Sequence, residues 1–212
     1  CKYSDLTTFS FRPVKTVACG EGGAITTNRK NLYEKLLMLR THGITKDKNS
    51  LLKNDGPWYY EQQILGFNYR LADILCALGV SQLKKLEKFK RKRRELVEQY
   101  RQEFSGDERF DLLQEKTFSN ASFHLCPLLI DFEQVKVKKE ELFEELKKRG
   151  LFLQVHYIPV HTQPYYQNLG FKFGDFPKAE GYYKKTISLP LYPSLKSSDV
   201  KRISTIFKKL VK

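Results

Sequence analysis

The chain has 212 residues, 41% hydrophobic, and a formal net charge of +14. That is enough apolar content for one large domain or two small ones, and no run approaches the roughly 20 apolar residues that span a bilayer. No signal-peptide pattern opens the chain, so a cytoplasmic protein is expected. Cys1, Cys19, Cys76 and Cys126 lie far apart without a CxxC pair, which favours reduced thiols over disulfides or zinc. The excess of basic residues invites a nucleic-acid reading. Much of it, however, falls in Lys84, Lys85, Lys88 and residues 90–94, where Leu83, Leu86, Phe89, Leu96 and Val97 keep an apolar stripe. That pattern is one helix with a solvated basic face, and no nucleic-acid-binding motif accompanies it.

In chain order, residues 8–11 read as a short strand that Pro13 ends by removing a ladder donor. Residues 24–27 read as the return strand, with Gly20, Gly22 and Gly23 permitting backbone conformations closed to other residues. Lys15 is held on that connection, five residues after the Ser10 hydroxyl. By itself such a lysine is a surface charge. Asn28 is placed to cap a helix over 29–41, with Gly43 as its stop. The polar stretch 44–57 is long for a connection. It ends at Trp58, Tyr59 and Tyr60, an aromatic cluster suited either to a core or to stacking on a base. The segment 66–73 then enters an apolar helix through Ile74, Leu75, Ala77, Leu78 and Val80, continuing to about Phe104 as a bridge between two domains. Beyond the break at Ser105, Gly106 and Asp107, a buried strand is expected over 123–131, an amphipathic helix over 138–149 stopped by Gly150, and a second strand over 151–158. His156 and His161 are five apart, but nearby cysteine or acidic partners at metal-ligand spacing are lacking.

Three stretches carry more than pattern. They are Phe9-Ser10-Phe11-Arg12-Pro13-Val14-Lys15 with Gly20-Glu21-Gly22-Gly23, Gly66-Phe67-Asn68-Tyr69-Arg70 with Asp73, and His156-Tyr157-Ile158-Pro159-Val160-His161 with Gln163-Pro164-Tyr165-Tyr166. In this order they resemble the motifs of the DegT/DnrJ family of sugar aminotransferases, enzymes dependent on pyridoxal 5'-phosphate (PLP). The third stretch, with residues 174–180 and 188–193, is similar to the branch that aminates UDP-4-keto-6-deoxy-hexosamines for pseudaminic acid. Arg12 stands where the family often has histidine, and Ala18-Cys19 where Thr-Thr is common.

The resemblance implies an α/β fold, the C-terminal part of a fold type I aminotransferase. Residues 1–104 would be the end of the large PLP-binding domain with its bridging helix, and 105–212 a small α+β C-terminal domain. It implies Lys15 as the Schiff-base lysine and proton shuttle, Ser10 on the cofactor phosphate, and Asn68 on the phosphate of the partner subunit's cofactor. Arg70 is implied near the acceptor carboxylate. His156 and Tyr157 are implied on the sugar side, although both histidines also admit a purely structural reading. The substrates implied are L-glutamate and a UDP-linked 4-keto-6-deoxy-N-acetylhexosamine, used by a homodimer with shared active sites; no metal, nucleic acid or membrane is implied. Family members carry a further segment before the lysine, including an aspartate that pairs with the pyridine nitrogen. The expectation is therefore a truncated chain, impaired by itself; the alternative is an inactive or scaffolding remnant.

Overall fold

A computed structural model describes residues 1–112 and 121–212. The chain divides into two compact units, Cys1–Leu86 and Glu87–Lys212.

In the first unit β1 (Thr7–Ser10) and β2 (Gly23–Thr26) pair antiparallel, from Thr7 opposite Thr26 to Ser10 opposite Gly23. A Cβ on Gly23 would lie 2.6 Å from the Phe9 carbonyl oxygen, so this approach of the two strands requires glycine. Helix α1 (Lys30–Arg40) follows. Asn28 is not its cap: Arg29 occupies that position without a side-chain bond, and the Asn28 amide instead donates to the Cys1 carbonyl at 2.9 Å. The helix stops as expected at Gly43, whose φ of 71° lets its N–H return to the Met38 carbonyl.

Two short strands, β3 (Ile44–Thr45) and β4 (Glu61–Gln62), close the following loop. The Glu61 carboxylate gathers that loop, accepting from the Leu52 and Lys53 N–H groups, the Tyr59 hydroxyl and the Gln63 amide. The bond from the Leu52 N–H and its companions hold the Glu61 carboxyl below the usual range. Trp58 is 72% exposed, which removes the core reading of that residue. Helix α2 (Asp73–Leu83) ends the unit, and neither α1 nor α2 has a buried residue.

The expected continuous helix to Phe104 is two helices. After α2 the Lys85 N–H bonds to the Gln82 carbonyl, three residues back, and α3 (Leu86–Phe104) begins afresh. The contact boundary at 86/87 differs from the division expected at 104/105, because α3 turns Leu96, Val97, Tyr100 and Phe104 into the core of the second unit.

That core is built on β5 (Asp111–Leu112) and β6 (Cys126–Leu129), with α4 (Lys139–Lys148) behind them. A single 3-10 turn (Val160–Thr162), α5 (Pro164–Gln167) and α6 (Pro177–Lys185) lead to β7 (Thr186–Leu189) and α7 (Ser197–Leu210). The sheet is antiparallel in the order β5-β6-β7. The strand expected over 151–158 is reduced to one bridge, between Gln154 and Ser188. Leu151 and Leu153 are buried in the core, while Tyr157 and Ile158 are exposed, so the alternation that favours a strand stops midway.

Leu128 is fully buried on the central strand. Leu128→Ala leaves a cavity there and should cost the second unit about 3 kcal/mol in urea unfolding. The same change at exposed Leu169 should cost less than about 0.5 kcal/mol.

Candidate active site

Lys15 stands on a loop closed at its base. The Phe11 N–H bonds to the Gly22 carbonyl and the Cys19 N–H to the Phe11 carbonyl, each at 2.9 Å, while the Lys15 N–H turns back onto the Arg12 carbonyl at 3.0 Å. Buried Val17 and Cys19 anchor the underside. Arg12 faces Glu21 at 3.7 Å across the loop, an exposed pair that contributes little. Lys15 is half-buried, and its amine has no ion pair or hydrogen bond among the described residues; the Ser10 hydroxyl is likewise uncommitted. The loop is therefore held by its backbone, and its two reactive groups remain available.

Asn68 and Arg70 sit on an extended segment laid against the end of α1. The His42 N–H bonds to the Phe67 carbonyl and the Tyr69 N–H to the Arg40 carbonyl, both at 2.9 Å. Phe67 and Tyr69 stack at 5.2 Å, as residues two apart on an extended backbone do, which turns Asn68 and Arg70 to the other side. Phe9, Phe11, Tyr69 and Leu71 help to line a concavity of about 750 Å³, and Ser10, Asn68 and Arg70 are not in its lining. Neither the Asn68 nor the Arg70 side chain has a hydrogen bond or ion pair among the described residues, so neither is bonded to Ser10 or Lys15.

In the second unit the His156 Nδ1 and Ser188 Oγ are hydrogen-bonded at 2.7 Å, and the Tyr157 ring meets the His156 ring edge-on. This fixes the imidazole and leaves its Nε2 and the Tyr157 hydroxyl without partners among the described residues. The other histidine is structural: His161 is buried and its Nε2 donates to Glu180 Oε1 at 2.7 Å. Burial alone would raise Glu180; the hydrogen bonds from His161 and the Gly174 N–H help to outweigh that and leave it below the usual carboxylate range. Among the described residues no group of three His, Cys, Asp or Glu is placed to hold a metal, and no helix is long and apolar enough to cross a membrane. Sequence reasoning missed Ser188 and Glu180 as partners. Their only signal was membership of stretches quoted for likeness.

A chain with a partner-free lysine on a glycine-closed loop, followed by this Asn-Tyr-Arg segment, belongs to the DegT/DnrJ/EryC1/StrS aminotransferase family, which matches residues 1–208. Among its relatives is the UDP-4-amino-4,6-dideoxy-N-acetyl-beta-L-altrosamine transaminase of Campylobacter jejuni serotype O:23/36, 38% identical over 212 residues, 99% of this chain and 53% of that one. Among solved structures, Helicobacter pylori PseC, an aminotransferase of pseudaminic acid biosynthesis, superposes with a TM-score of 0.87 at 33% identity, covering 98% of this chain and 53% of that one. The sugar aminotransferase Spr1654 of Streptococcus pneumoniae, in its PMP form, gives 0.86 at 30% identity, covering 98% and 53%. The chain thus spans about half the length of the relatives it matches.

Proposed function

We propose that this chain, completed to the length of its relatives, transfers an amino group from L-glutamate to the C4 ketone of a UDP-linked 4-keto-6-deoxy-N-acetylhexosamine, forming a 4-amino sugar nucleotide. The observation that carries this is the Lys15 amine, held without an acidic partner on its closed loop in a chain of this family. The residues present fit PLP. An amine for the aldehyde, a hydroxyl for the phosphate and an uncommitted amide are among the groups it requires, and Spr1654 has been solved in both PLP and PMP forms. When bound, PLP supplies an electron sink for the carbanion formed at the reacting carbon.

Lys15 Nζ anchors the cofactor, removes the α-proton of glutamate and later returns a proton at the sugar C4. The Ser10 hydroxyl holds the phosphate, and Asn68 holds the phosphate of the partner subunit's cofactor. The planar fork of Arg70 pairs with the glutamate carboxylate. His156, oriented by Ser188, and Tyr157 contact the sugar nucleotide. In this reading the first unit is the end of the large domain and the second is the small C-terminal domain of a cytoplasmic homodimer.

The completed enzyme should form 2-oxoglutarate from glutamate continuously only when the UDP-4-keto sugar is supplied, and should stop at about one equivalent per site without it. The 212-residue chain alone should give no more than trace turnover. Ile74, 78% exposed, with Leu78, Val80 and Leu83 leaves α2 uncovered, so the chain should also self-associate in sedimentation. Robust turnover by the 212-residue chain would overturn this division of labour.

A further inference from the structure

His161 and Glu180 are a buried ionisable pair in the second unit, 7% and 5% exposed. Glu180 Oε1 accepts from His161 Nε2 at 2.7 Å and from the Gly174 N–H at 2.8 Å. The His161 ring meets Phe176 at 4.8 Å. One carboxylate on α6 therefore ties together the turn Val160–Thr162 and the loop 171–176. A charge so enclosed is tolerated only while its donors stay in place.

What that tie restrains is the segment carrying His156 and Tyr157. At one end the segment is fixed by the Ser188 N–H on the Gln154 carbonyl and by the Ser188 hydroxyl on His156. At the other, Thr162 Oγ1 donates to the Pro159 carbonyl and His161 reaches Glu180. Between the anchors Tyr157 is 66% exposed. An exposed aromatic segment tethered at both ends is ordered before any ligand arrives, which lowers the cost of binding one.

We propose that Glu180, through His161 and Gly174, is a positioning residue that sets the shape of the His156-Tyr157 segment for the sugar nucleotide. The inference rests on the function proposed above, and it concerns only the sugar half of the reaction. In the completed enzyme, Glu180→Ala should raise KM for the UDP-4-keto sugar about 10-fold, while the half-reaction with glutamate stays within about 2-fold of wild type. Glu180→Gln keeps an oxygen for the Gly174 N–H and should recover part of the loss. His161→Leu, which removes the ring N–H and leaves Glu180 in place, should reproduce the rise.

A second measurement uses the 212-residue chain. Hydrogen exchange at Gly174 should accelerate in Glu180→Ala, with Ile187 on β7 unchanged. Equal losses in both half-reactions would mean general damage and overturn the proposal. So would faster exchange at Gly174 with an unchanged sugar KM. A wild-type completed enzyme that turns over glutamate but not the UDP sugar would instead refute the proposed function, and this inference with it.

Discussion

Lys15→Ala, in the completed enzyme, should lose the cofactor label that borohydride fixes on the Lys15 peptide and should lower transamination about 10³-fold or more. The size follows from what the amine is asked to do, since one group both anchors the cofactor and carries the proton in each half-reaction. The structure also separates this loss from unfolding. The loop is closed by backbone bonds between Phe11, Cys19 and Gly22, and the Lys15 side chain contributes none of them. Its truncation should therefore leave stability within about 0.5 kcal/mol, measured by urea unfolding on the same preparation. Labelling that survives Lys15→Ala undiminished would refute the assignment, as would an activity loss matched by a comparable loss of stability.

The elements most legible in the sequence were those specified by their own residues. The paired strands around Lys15 were marked by Pro13 and the glycines, α1 ended where Gly43 could take a positive φ, and α4 showed its periodicity and its stop at Gly150. What escaped was decided between distant residues. Asn28 has the chemistry of a cap, but the Cys1 carbonyl competes for its amide. Residues 151–158 look like a strand, yet only Gln154 finds a ladder partner, and that partner, Ser188, lies in a strand the pattern did not reveal. All four residues of β7 are buried, two of them polar, so no alternation marks it. The candidate site divides in the same way. Lys15, Ser10, Asn68 and Arg70 could be put forward as candidates because their motifs are local. The support for His156 and His161 comes from Ser188 and Glu180, 32 and 19 residues away, and no periodicity reports such a contact.

Subunits of the completed enzyme bearing Lys15→Ala and Asn68→Asp, each nearly inactive alone, should recover activity when mixed under conditions that exchange subunits. The expectation comes from the proposed service of Asn68 to the partner subunit's cofactor. It is compatible with the geometry, since Asn68 is not in the lining of the concavity beside Phe9 and Phe11 and has no hydrogen bond to Ser10 or Lys15. Asn68→Asp puts a negative charge where a neutral amide would meet a phosphate, so cofactor binding weakens by repulsion. The fold should tolerate the change, because that segment is held by the backbone of Phe67 and Tyr69 rather than by the Asn68 amide. In a mixed dimer with Asn68 acting across the interface, one site collects both defects and the other has neither. With complete random exchange in a two-fold dimer, activity should rise to about a quarter of wild type. If Asn68 instead serves its own subunit's cofactor, every site keeps one defect and mixing restores nothing. Exchange confirmed by tagged subunits, with no recovery of 2-oxoglutarate formation, would rule out the shared site.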